Sequence, residues 1–235
     1  MSKIKILLLI ILILIGIGAA FVIYQYEQPA STNVMRGDHT ILLLCVDPSE
    51  KRPGLGGVDM AFAVHVVDGN VKNLTSIYPG GMMHPTASAP PGVATSRLMM
   101  HDTLWDADPA VGAKLAQETV QANTGIKTDA VVMVTPTAID AFIAAVGPIN
   151  IPGQGTVTNN SIQFLRAEQN SGGMNRSSAV QSIMKPILNA TKDPKKYGIL
   201  AQVAIDQYAK GNIVVIPKDL FTQFAVSKSI NSIIT

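Results

Sequence analysis

Five arginines, Arg36, Arg52, Arg97, Arg166 and Arg176, are the only guanidinium groups in this 235-residue chain. Guanidinium forks hold phosphate-type anions well, because their paired N–H donors match two oxygens at once. Arg52 lies in Glu50-Lys51-Arg52-Pro53-Gly54-Leu55-Gly56-Gly57, where it either grips an anion or keeps a loop solvated. The glycines of that loop can turn backbone N–H groups toward a phosphate. They lack the Lys-Ser/Thr pair of a P-loop. Arg166 and Arg176 are open to two readings, a phosphate or a structural bond to a carboxylate or to helix C-terminal carbonyls.

Other chemistries find less support. Cys45 is the single cysteine, so no intrachain disulfide forms, and it lies inside the apolar run Ile41–Val46. A buried, inert thiol is expected there rather than a nucleophile. His39, His65, His84 and His101 show no i,i+4 or H-x-x-E pairing, so the spacing gives a zinc site little support. No G-x-S-x-G elbow occurs.

These residues work wherever the N-terminus puts them. Ile6 to Tyr24 is an unbroken apolar run of nineteen, preceded by Lys3 and Lys5. As a helix it spans roughly 28 Å, close to the ~30 Å hydrocarbon core of a bilayer. Gly18-Ala19-Ala20 offers small residues for signal-peptide cleavage. The run is nonetheless longer than a secretory h-region of ~7–15 residues, which favours an uncleaved anchor. With the lysines on its N-terminal flank, the rest of the chain is expected outside the cytoplasm of a single-pass membrane protein. Of eighteen Lys+Arg, two precede the anchor, leaving sixteen against sixteen Asp+Glu. A neutral outer part has no basic field for nucleic acid.

The expected organisation is therefore an anchor over 1–24, a polar tether over 25–39 and one domain over 40–235. Residues 40–46 read as a strand covered on both faces. Val58–Val67 and Val71–Tyr78 flank Asp68-Gly69-Asn70 at hairpin spacing. Residues 79–96, rich in proline, read as a long loop. Asp108-Pro109, Thr135-Pro136 and Asp193-Pro194 each place a capping side chain before proline, the signature of a helix start. Gly125, Gly147 and Gly211 supply the stops. Asp129–Val134 and Asn212–Ile216 read as strands and Ile149–Val157 as an edge-like segment. A short helix is expected from Asn160 to Arg166, and another from about Ser177 that Pro186 should kink or end. Pro217 opens a last amphipathic helix. Alternating strands and helices predict an α/β domain, three-layer α-β-α with a mixed central sheet.

Several stretches, in order, resemble the domain-of-unknown-function family 4012. They are Glu50–Gly57, His101-Asp102-Thr103-Leu104-Trp105-Asp106-Ala107-Asp108-Pro109, Ala145–Gly153, and Asn212–Lys218 followed by Asp219. The resemblance spans about residues 40–225, and the order and spacing of the motifs carry it. That family looks distantly related to the LytR-CpsA-Psr proteins, which are anchored by one N-terminal helix. They transfer glycopolymers from polyprenyl-pyrophosphate carriers to the cell wall.

The resemblance implies arginines on the pyrophosphate and acidic residues on a divalent cation such as Mg. Asp59, in Gly57-Val58-Asp59-Met60, falls at the aspartate of the transferases' S-D-T motif and is the implied metal ligand. It opens a strand, so capping a turn is its other reading. Arg166 falls at their V-R arginine and Arg176 at the arginine of R-Q-Q, which with Arg52 makes the implied phosphate-binding set. Two departures stand out. Ile77-Tyr78-Pro79-Gly80-Gly81 replaces I-P-R-D, and Gly173 replaces the arginine three residues before Arg176. The implied function is cell-envelope glycopolymer assembly, by binding or transferring a polyprenyl-(pyro)phosphate-linked glycan. The alternative is a non-catalytic surface module that binds glycan or a protein partner, which the missing arginines favour. The transferase reading predicts a lipid-sized apolar cleft beside Arg52 and Arg166. Met82, Met83, Met99 and Met100 either line such a cleft or fill the core.

Overall fold

The computed structural model describes residues 34–151, 155–161, 164 and 176–224. The apolar run 6–24, and the anchor expected there, lie outside the described residues. Among the described residues, no helix is long and apolar enough to cross a membrane.

The centre of the domain is β1 (Asp38–Asp47), whose run Leu42 to Val46 is buried throughout. It pairs antiparallel with β2 (Gly57–Val67) and parallel with β6 (Ala130–Val134). β3 (Asn70–Ile77) adds to β2, and β9 (Ile213–Ile216) pairs antiparallel with β6. The sheet is thus mixed and five-stranded, in the order β3-β2-β1-β6-β9. The β2–β3 turn uses Asp68 and Gly69, both at positive φ, as a two-residue hairpin requires.

Period-two alternation divides β1 between two cores. Leu42, Leu44 and Val46 join Ala113, Ala116 and Val120 of α1 (Pro109–Thr124) on one face. Leu43 and Cys45 join the other face. That face is covered by Ile139 and Ile143 of α2 (Pro136–Val146), Ile183 and Ile187 of α3 (Arg176–Ala190) and Leu200 of α4 (Pro194–Ala209). Helices on both faces of one sheet make three layers, as expected from the sequence. The proline-led starts behave as read: Asp108, Thr135 and Asp193 each accept from a backbone N–H of the first turn.

Two expectations are corrected and a third is narrowed. Residues 79–96 are not all loop, because β4 (Met83–Ser88) pairs antiparallel with β5 (Arg97–Met99). Ile149–Val157 does not edge the main sheet. It folds on itself as β7 (Ile149–Ile151) and β8 (Gly155–Val157). Of the two outcomes expected at Pro186, a kink or an end, the end does not occur, since α3 continues to Ala190 with Ile187 buried beyond the proline. Most of 160–166 lies outside the described residues, although Ser161 and Phe164 are helical. Residues 219–224 are helical after Pro217, and Phe221 stacks on Tyr208 with ring centroids 3.7 Å apart. Met100 is fully buried with Leu104 against α1, a core role, whereas Met83 is exposed.

The inert reading of Cys45 has a physical cause. Burial, helped by the negative charge of Asp59, pushes its thiol from about 9.0 up to about 12. Native protein should therefore resist Ellman's reagent near pH 8, while unfolded chain reacts promptly. The folded state holds the proton that the unfolded chain loses, so this contribution to stability is intact below pH 9. It is lost progressively as pH rises toward 12. Urea unfolding at rising pH checks this, and Cys45→Ala should flatten the slope over that window.

Candidate functional site

The chain leaves β1 at Asp47, runs through the loop 48–56 and re-enters the sheet as β2 at Gly57. Pockets in open α/β sheets form beyond such carboxyl ends of parallel strands. The loop is tethered where it begins, as Ser49 N–H donates to Asp47 Oδ1 at 2.8 Å. A second segment reaches the same corner after β5, a 3-10 turn at Met100–Asp102. Buried Met100 and Leu104 hold this turn against α1, so His101 and Asp102 between them meet the loop.

Arg52 joins the two segments. Its Nη2 and Nε both donate to Asp102 Oδ1, at 2.8 and 3.1 Å, and its Nη1 donates to Glu50 Oε2 at 2.7 Å. The guanidinium also lies 5.8 Å from the centre of the Trp105 ring. Its side chain is only 9% exposed, and that of Asp102 8%. Burial alone would lower the Arg52 pKa, but the hydrogen bonds and charges of Glu50 and Asp102 outweigh it and the value is raised. A fully charged Arg52 thus fixes the position of Glu50.

His101 faces Glu50 from the other side. Its Nδ1 lies 3.1 Å from the Val58 carbonyl and its Nε2 2.8 Å from Glu50 Oε2. Asp59, one residue into β2 from Val58, completes a group with Glu50 and His101. One ligand atom from each lies within 4.8 Å of the others, and all three residues are partly buried. Ligand-type side-chain atoms from three segments meet here, a set of a kind able to hold a metal ion.

The residues singled out from sequence are distributed as follows. Arg52 and Asp59 meet at this corner, Arg52 held by two carboxylates and Asp59 in the cation-capable group. Arg176 is the first residue of α3. Arg166 lies outside the described residues, and with it the expected cleft between Arg166 and Arg52. Glu50, His101 and Asp102 were not read as site residues. The available signal was their place in the two motif stretches 50–57 and 101–109.

Residues 36–169, more than half of the chain, match the family model described as "Protein of unknown function (DUF4012)". The chain belongs to that family. Solved structures share the fold. Protein gbs0355 from Streptococcus agalactiae matches at 18% identity and TM-score 0.53, over 81% of this chain and 75% of that one. A transcriptional regulator, EF0465, from Enterococcus faecalis matches at 15% identity and TM-score 0.51, over 83% and 74%. TagV from B. subtilis reaches 16% identity and TM-score 0.49, over 82% and 80%, too weak a likeness to bear on the argument. At such identities the likeness is one of fold alone. No curated protein matches the chain in sequence.

Proposed function

We propose that this protein works in cell-envelope glycopolymer assembly, binding or transferring a polyprenyl-(pyro)phosphate-linked glycan outside the cytoplasm. The observation that carries this reading is the meeting of Glu50, Asp59 and His101 beside Arg52. A divalent cation there, with Asp59 as a ligand, would offset the charge of a pyrophosphate. Arg52 orders Glu50, while Arg166 and Arg176 are the guanidinium groups proposed for the phosphates. In this reading the apolar run 6–24 anchors the chain and keeps the site near its lipid-linked ligand.

A specific observation favours the second reading, a non-catalytic module that binds glycan or a protein partner. Arg52 is neutralised by Glu50 and Asp102 and barely exposed, which leaves the corner with less positive charge than a pyrophosphate clamp needs.

Native mass spectrometry of the detergent-extracted full chain separates the two. The first reading expects a co-purifying polyprenyl phosphate, reduced by Arg166→Ala. If no lipid co-purifies and Arg166→Ala leaves envelope assembly unchanged, the second reading stands.

A further inference from the structure

We infer that the corner takes a d-block divalent cation, Mn2+ or Zn2+, in preference to Mg2+, with His101 as its nitrogen ligand. This rests on the proposed function only in placing the cation at Asp59, and it follows from the hydrogen bonding of His101. The Val58 carbonyl can only accept, so the imidazole proton sits on Nδ1, 3.1 Å away. That leaves Nε2 as the nitrogen that faces Glu50 Oε2, 2.8 Å away. A proton on Nε2 makes this contact a plain ion pair, and a divalent cation bound by both atoms would take that proton's place. An N–H held by a backbone carbonyl, with the other nitrogen bare, is the arrangement that metal-binding histidines use.

Asp59 turns this pair into a three-sided donor set. Ligand atoms at ~2.1 Å from one ion lie at most about 4.2 Å apart. The three ligand atoms here lie within 4.8 Å of one another, close to that bound. Arg52 leaves Glu50 little freedom, so Asp59 and His101 adjust around it. One imidazole and two carboxylates is a mixed N/O set. Mg2+ prefers an all-oxygen octahedron and keeps its waters, whereas imidazole favours first-row transition ions. Spacing alone gives no hint of this set, because His101 stands 42 residues from Asp59 and 51 from Glu50.

The test is metal binding to the full chain in detergent, with MnCl2, ZnCl2 and MgCl2 as the only additions. One Mn2+ per chain is expected, with pulsed electron paramagnetic resonance showing coupling to a 14N nucleus. His101→Ala should weaken Mn2+ and Zn2+ binding about ten- to a hundredfold. It should remove the 14N coupling and leave Mg2+ binding unchanged. Circular dichroism confirms that the variant folds, and the 14N signal of the unaltered chain stands as evidence by itself if it does not. The inference is overturned if Mn2+ does not bind, as for a plain His101–Glu50 ion pair. It is equally overturned if Mg2+ displaces Mn2+ at equal concentration or the 14N coupling survives His101→Ala. Lipid co-purification is read separately. A chain that carries polyprenyl phosphate but binds no Mn2+ refutes this inference alone, and the converse refutes only the lipid-carrier reading.

Discussion

Replacing Arg52 with alanine should destabilise the domain by about 3 kcal/mol, within the range seen when one partner of a buried ion pair is removed. The cost comes from what remains. Asp102, with its side chain 8% exposed, loses both donors to Oδ1 and keeps a carboxylate that water barely reaches. Glu50 loses a partner too, but it is about a third exposed and solvent absorbs most of that change. Arg52→Lys should recover part of the loss, since a point charge cannot give Asp102 two N–H donors and reach Glu50 as well. Urea unfolding measures the effect as a shift in midpoint at constant slope. Pairing Arg52→Ala with Asp102→Asn should restore much of the stability, because the stranded charge is then gone. A loss below about 1 kcal/mol for the single variant would mean that Asp102 has another route to a counter-charge. The proposed Arg52–Asp102 strut between the two segments would then be wrong.

The parts of this fold legible in the sequence are those whose cause is local. The Asp108, Thr135 and Asp193 caps each satisfy backbone N–H groups within three residues, so a short window contains the whole interaction. β1 announced itself because burial on both faces demands an uninterrupted apolar run. β4 did not. Met83-His84-Pro85-Thr86-Ala87-Ser88 has neither apolar alternation nor β-branched content beyond one threonine. It is held instead by buried His84, whose Nδ1 accepts from the Thr86 and Ala87 N–H groups while Nε2 meets Glu118 on α1 at 2.9 Å. Pro186 fails to end α3 for a related reason. Burial of Ile183 and Ile187 on either side of it holds α3 together, a tertiary effect that overrides local preference.

The candidate site divides in the same way. Asp59 and Arg52 were visible as residue types, but besides nearby Glu50 each meets a partner, His101 or Asp102, from a segment about forty to fifty residues later. A single sequence records no contact over that distance. Composition is silent on this pairing, since counting arginines does not show that Glu50 and Asp102 already neutralise one of them.

Two glycines of the loop should separate the stability of this corner from its chemistry. A Cβ at Gly54 would press on the backbone carbonyls of Leu104 and Asp106. Backbone cannot rotate aside, so Gly54→Ala must pull the loop away from the segment after His101, at a cost of about 3 kcal/mol. A Cβ at Gly57 would instead meet side-chain ends: the Glu50 carboxylate, Arg52 Nη1 at 2.8 Å and His101 Cε1 at 2.9 Å. Each could move alone, but Arg52 and His101 both bind Glu50 Oε2, so they must shift together or part. Gly57→Ala should therefore cost only about 1 kcal/mol in urea unfolding, the low end for overpacking. It should nevertheless weaken Mn2+ binding about tenfold by separating Glu50 from His101. The reverse ranking, with Gly57→Ala the more destabilising and its metal affinity intact, would show that Gly57 serves the β1–β2 register through its pairing with Asp47. In that case the close approach to Glu50 and His101 would have no part in holding a cation.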